Sequence, residues 1–273
     1  MVFGNGHDSR LPRRRLAGFL VLGAVVMGSA LLLASCTDDD RNVVLIQKIG
    51  EGRVASEDDV RFLLEYLAQG NAEERLSAAW ALGQTGRTDH LPELMRSATD
   101  DPSTDVRINA IASLDLLGGE TVLPALFGFL EDEDEQVRAA ALRGLADSSD
   151  ADVVAKVGPL LVEGGETTRA LAVDVLGASG NPEAIPFLAQ VADDADFDVR
   201  TRVAFAMGKL RDPSAIPTLA SMLDDERWEV RANAVQALGM IGDRSARSSV
   251  EPLTDDPNSM VRQAADSALA KLR

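Results

Sequence analysis

The residue types that carry metal and thiol chemistry are scarce in this chain. It has two histidines and one cysteine among 273 residues. His7 lies near the N-terminus, and His90 has no second imidazole or His–Glu partner to complete a ligand set, so it is expected at the surface near a helix start. Asp194, Asp196 and Asp198 have the D-x-D-x-D opening of a calcium loop. The sixth position of that loop is Val199 where a glycine is needed, and the twelfth is Phe205 where a glutamate is needed. Negative charge at a helix N-terminus accounts for these aspartates better. No strand is evident, so no glycine-rich phosphate loop follows one. These residues assemble no catalytic set, no metal site and no cofactor site.

Arginine, by contrast, recurs on a fixed period. Arg75, Arg107, Arg138, Arg169, Arg200, Arg231 and Arg262 are separated by one step of 32 and then five of 31. A column of cations at that spacing suits an anionic polymer. Each arginine, however, adjoins an acidic loop, and charge-assisted pairing to neighbouring aspartates is the expected use.

The element that carries each arginine is clearest at residues 224–242, DDERWEVRANAVQALGMIG. Ala234, Val235, Ala237, Leu238 and Ile241 follow Val230 at offsets of 4, 5, 7, 8 and 11, which is one face of an α-helix. A second helix precedes it, as in PSAIPTLASML at residues 213–223. A proline falls 17 residues after the arginine in several copies (Pro92, Pro124, Pro186, Pro217), where a first helical turn tolerates the missing N–H. Gly86, Gly118, Gly180 and Gly242 suit helix C-caps. Seven such copies make a repeat array.

The unit resembles a HEAT repeat of the short bacterial kind, also called the phycobilisome-lyase HEAT-like repeat. The likeness rests on its length, the Val-Arg pair, the Ala…Ala-Leu-Gly run and the proline of the first helix, and it covers residues 56–273. It implies an all-α fold: a right-handed α-α superhelix, or solenoid, of about seven two-helix repeats tied by an Asp–Arg ladder. Deoxyhypusine hydroxylases of the HEAT class bind iron through His–Glu pairs, which this chain lacks, and no bilin-attachment motif is present. Two copies depart from the pattern. Thr168 replaces the valine and Gly164-Gly165 interrupts the loop in one, which is expected to pack least well. Asp266 stands at an otherwise apolar position in the last, as suits a terminal repeat facing water.

Residues 1–35 read as a signal segment. Arg10, Arg13, Arg14 and Arg15 precede an uncharged apolar run over residues 16–34. Leu33-Ala34-Ser35-Cys36 resembles a bacterial lipobox, which implies cleavage before Cys36, acylation of its thiol and a membrane-anchored, extracytoplasmic protein. An uncleaved membrane anchor is the alternative, since 19 apolar residues nearly span a bilayer. Residues 36–55 would then hold the lipidated cysteine, an acidic tether at Asp38, Asp39 and Asp40, and an apolar cap, NVVLIQKI. The net charge is −17, and residues 36–273 hold 23 basic against 43 acidic side chains. Without a basic stripe, nucleic-acid binding has no electrostatic source.

The expected function is a scaffold, not an enzyme, that holds another protein along the second helices. An accessory, chaperone-like or lyase-like factor and a structural spacer are the alternatives. On each second helix the offsets −1, +3, +6 and +10 from the marker valine point away from the apolar stripe. Most hold polar or small residues, but Trp80, Leu116, Leu171, Phe205 and Met240 do not, and Arg202 and Lys209 flank Phe205. These seven are the candidate partner-binding residues. Burial of Trp80 under the cap, and of Phe205 against a neighbouring helix, is the competing expectation.

Overall fold

The computed structural model describes residues 45–46, 48–49, 54–148 and 150–272. Cys36, the signal segment and the acidic tether lie outside the described residues. Every regular element among the described residues is helical. The chain divides into two compact units, Met1–Thr85 and Gly86–Arg273.

In the first unit, α1 (Glu57–Gln69) and α2 (Ala72–Gln84) form one antiparallel pair. Each opens with a capping box, Ser56 with Asp59 and Asn71 with Glu74, which satisfies donors that a helix start leaves unpaired. Val60, Leu63 and Leu67 face Ala78, Ala79 and Leu82 in its core, and Leu45 and Ile49 of the NVVLIQKI stretch are also buried.

The second unit contains six further pairs. The first helices are α3 (Leu91–Asp100), followed by α4 (Thr104–Gly118), and α5 (Leu123–Phe129), followed by α6 (Glu135–Leu145). The third pair has a broken first helix, α7 (Asp152–Val157) and α8 (Leu160–Glu163), before α9 (Glu166–Ala178). Then come α10 (Ile185–Ala189) with α11 (Phe197–Leu210), α12 (Ile216–Ser221) with α13 (Trp228–Ile241), and α14 (Arg247–Val250) with α15 (Ser259–Lys271). Several first helices are short α-segments extended by 3-10 turns, before the helix at Pro213–Ala215, where prolines crowd the opening turn, and after it at Met222–Asp224. Thr104–Phe129 is long and apolar, yet it comprises α4 and α5, separated at Gly119 where φ is +49°. That left-handed residue is Gly119 and not Gly118, so the C-cap falls one residue later than the spacing predicts.

Val230, Ala234, Val235, Ala237 and Leu238 are fully buried or nearly so, and the corresponding residues of the other second helices of this unit build its core. Within this unit successive second helices pack directly on one another. Small residues permit this. A Cβ on Gly208 would stand 2.8 Å from Ala237 Cα, and Gly177 and Gly239 meet Ala206 and Ala268 in the same way. Between α6 and α9 the repeat register places Ala146 and Val175 instead.

The marker arginines build the ladder. Arg200 donates from Nε and Nη2 to Asp225, at 2.7 and 2.9 Å, and Arg231 reaches Asp256 in the same fork at 2.8 and 3.0 Å. Arg169 pairs with Asp194 at 2.9 and 3.2 Å, and Arg107 with Asp132 at 3.0 Å. In Arg169, Arg200 and Arg231 the remaining nitrogen, Nη1, binds carbonyls of the arginine's own loop, as Arg231 does with Asp225 O at 2.8 Å. The rungs thus join continuously from Arg169 to Arg262. Residue 163, which would receive Arg138, is an exposed glutamate, and Arg138 has no carboxylate within ion-pair distance among the described residues. There Glu135 accepts from the Thr168 amide and hydroxyl, both at 3.3 Å, so the buried threonine is satisfied from the preceding repeat. Asp266 is exposed, as a terminal face requires.

Candidate functional site

Helix α11 is placed by its ends and its buried face. Asp196 caps it through the Asp198 amide at 2.9 Å, and Val199, Val203, Ala204, Met207 and Leu210 are buried. Spacings of three and four residues put Arg202, Phe205 and Lys209 on the opposite face, and all three are exposed. Phe205 keeps 50% of its surface accessible, so no neighbouring helix covers it. Leu171 on α9 and Met240 on α13 are half-buried. The Met240 sulfur passes 3.3 Å from the position a Cβ would take on Gly208, next to Lys209 in sequence.

Arg202 donates from Nη1 to Asp174 Oδ2, tying α11 to α9 across this face. Burial pushes the Asp174 carboxyl above its ordinary range, against the opposing pull of Arg202 and Lys209. Lys209 has no carboxylate within ion-pair distance among the described residues. Five of the seven candidate residues therefore share three consecutive second helices: Leu171, Arg202, Phe205, Lys209 and Met240. Leu116, on α4, is half-buried and separated from them by α6. Trp80 is half-buried in the first unit.

Other acidic and aromatic groups are used structurally or were not foreseen. Asp194 holds Arg169 and Asp196 caps α11, so the calcium-like triplet serves the ladder and the helix start. His90 is 1% exposed, not at the surface, with Nδ1 3.4 Å from Asp89 Oδ1; it occupies the N-cap of α3, where the chain turns inward. Among the described residues no group of three or more metal-ligating side chains converges. Sequence reasoning missed a second exposed apolar set at the opening turns of the second helices. Trp228 is 38% and Met260 53% exposed, and the Arg227 guanidinium lies 4.1 Å above the Phe197 ring. Their signal was their position ahead of the marker valine, where a side chain lies beyond the layer contact.

The family profile described as HEAT repeats matches residues 60–134, 126–204 and 186–270. No curated protein matches the chain by sequence. Among solved structures, the Escherichia coli protein YibA is 18% identical with a TM-score of 0.64, covering 94% of this chain and 99% of that one. Importin beta is 16% identical with a TM-score of 0.62, covering 91% of this chain and 40% of its own. The complex of CpcE and CpcF of phycocyanin lyase from Nostoc is 21% identical at a TM-score of 0.49, covering 81% of this chain and 97% of that one. At these identities the likeness concerns the fold alone.

Proposed function

The chain belongs to the HEAT-repeat family, and from that premise we propose that it is a non-catalytic scaffold holding another protein on its second helices. The observation that carries this reading is the exposed Phe205, flanked on its own helix by Arg202 and Lys209. An aromatic anchor beside an arginine, with polar residues around it, is the make-up of an interface hot spot. A stack of repeats supplies such a surface because each helix pair contacts only its neighbours, which leaves one face of every second helix free for a ligand. Phe205→Ala should weaken capture of the partner by about 1–3 kcal/mol while the melting temperature hardly moves, because the ring is half in water already. An early-melting variant would make Phe205 a structural residue and place the binding surface elsewhere.

The same proposal puts the scaffold outside the cytoplasmic membrane, held by lipid on Cys36. Its support is the lipobox-like Leu33-Ala34-Ser35-Cys36 at the end of an apolar run with a basic start. Cys36→Ser should abolish metabolic labelling with palmitate and leave the precursor uncut. Equal labelling of the variant would reject the lipoprotein reading in favour of an uncleaved anchor.

A further inference from the structure

We propose that the segment captured at Phe205 is apolar and acidic: a side chain seated on the exposed ring, with a carboxylate one helical turn away that meets Lys209. This rests on the scaffold reading above and specifies what the scaffold selects. The chain as a whole carries 44 acidic against 27 basic residues, so its general field draws cations. The exposed face of α11 departs from that balance. From its second turn onward it presents Arg202, Phe205 and Lys209 and no acid. Asp174, the carboxylate that faces it from α9, is already engaged by Arg202. The pair carries no net charge and leaves Lys209 as the surplus.

Two observations place that surplus charge at the patch. Lys209 follows Phe205 by one helical turn on the same exposed face, near enough to Asp174 for its charge to act on that carboxyl. Met240 of α13 reaches Gly208, the residue before Lys209, and sets an apolar side chain on that side. Lys209 also sits in the last turn of α11, where a cation suits the helix dipole, but that interaction leaves its three donors available. A carboxylate placed there gains a charge-assisted bond beside an apolar anchor. A cationic segment would meet Lys209 and Arg202 as like charges at the point of closest contact, which costs specificity even where the general field favours approach.

The experiment is fluorescence polarisation of the full-length protein in detergent micelles with three labelled peptides. They share one Leu/Phe framework and differ only in carrying Glu, Lys or Ser at the same places. The Glu peptide is expected to bind tightest. Phe205→Ala should weaken all three. Lys209→Gln should erase the ranking, and Lys209→Glu should reverse it in favour of the Lys peptide, by about tenfold each way. Each variant should keep its melting temperature, because both side chains are exposed. Tightest binding of the Lys peptide, or an unchanged ranking in the Lys209 variants, overturns the acidic selectivity and leaves the Phe205 surface standing. Binding that ignores Phe205→Ala overturns the surface itself, and failure of every peptide to bind overturns both.

Discussion

Arg211 ends α11 with φ at +53°, the left-handed region, and is the one non-glycine residue at positive φ among the described residues. One repeat later, Gly242 takes the same place with φ at +76°, and Gly180 does so one repeat earlier. An L side chain in that conformation crowds its own carbonyl, and nothing in the structure explains why arginine stands here. Arg211→Gly should therefore stabilise the protein by about 0.5–1 kcal/mol, part of the relieved strain being offset by the freer unfolded chain. Thermal unfolding checks this as a rise in melting temperature. Phe205 illustrates the opposite limit: a large apolar side chain that the fold leaves half in water contributes little to stability and is free for a partner.

At the scale of elements, the ladder couples neighbouring helix pairs through carboxylates whose ionisation the fold favours. The forked bonds from Arg231 hold the Asp256 carboxyl below its ordinary value, against burial, with help from the Asn258 amide. Burial raises the Asp225 carboxyl, but the Arg200 bonds, the Arg227 amide and the nearby arginines more than reverse it. Both groups thus have a lower pKa folded than unfolded. Their contribution is fully present above the unfolded value of about 4 and is lost as pH falls through the lowered folded values. Chemical denaturation from pH 6 down to pH 2, roughly that window, should show stability falling steeply at the acid end. Asp256→Asn keeps the turn-forming oxygen and removes the titration, so the variant should be less stable at neutral pH and flatter in acid. A variant with the same acid slope as the parent would show that Asp256 does not carry this linkage.

Across the Gly86–Arg273 unit the couplings are not uniform. From Arg169 onward every neighbouring pair of second helices has both a forked Arg–Asp rung and a Gly–Ala contact. Between α6 and α9 both are missing, and Glu135 with Thr168 makes a longer pair of bonds in their place. The first helix of that repeat is also split at Gly158-Pro159, and Val162 is 66% exposed. In a repeat stack stability is a sum over units and their interfaces, so the weakest interface opens first. Native-state hydrogen exchange should show residues 146–165 losing protection at the lowest denaturant concentration, with residues 166–272 exchanging later as one block. Simultaneous exchange over the whole unit would show that Glu135 and Thr168 restore what the missing rung lacks.

The period of 31, the apolar face of each second helix and the prolines of the first helices determined the two-helix unit, because each is a local property of a short stretch of chain. Offsets from Val199 alone placed Arg202, Phe205 and Lys209 on one side of α11, since helix geometry repeats every 3.6 residues whatever surrounds it. That the arginines pair with aspartates was legible as well, but the partner is the acid of the next repeat and not the one beside each arginine, whose loop supplies carbonyls. Tertiary structure decided the rest. Whether Phe205 is covered depends on how far the next helix lies across the stack, and the approach that Gly208 allows leaves the ring open. His90 is buried because of what packs over a helix start, which no spacing within the helix encodes. The missing rung at Arg138 required knowing that the residue 25 positions later must be an aspartate, whose short carboxylate accepts from the incoming arginine and closes its own turn together.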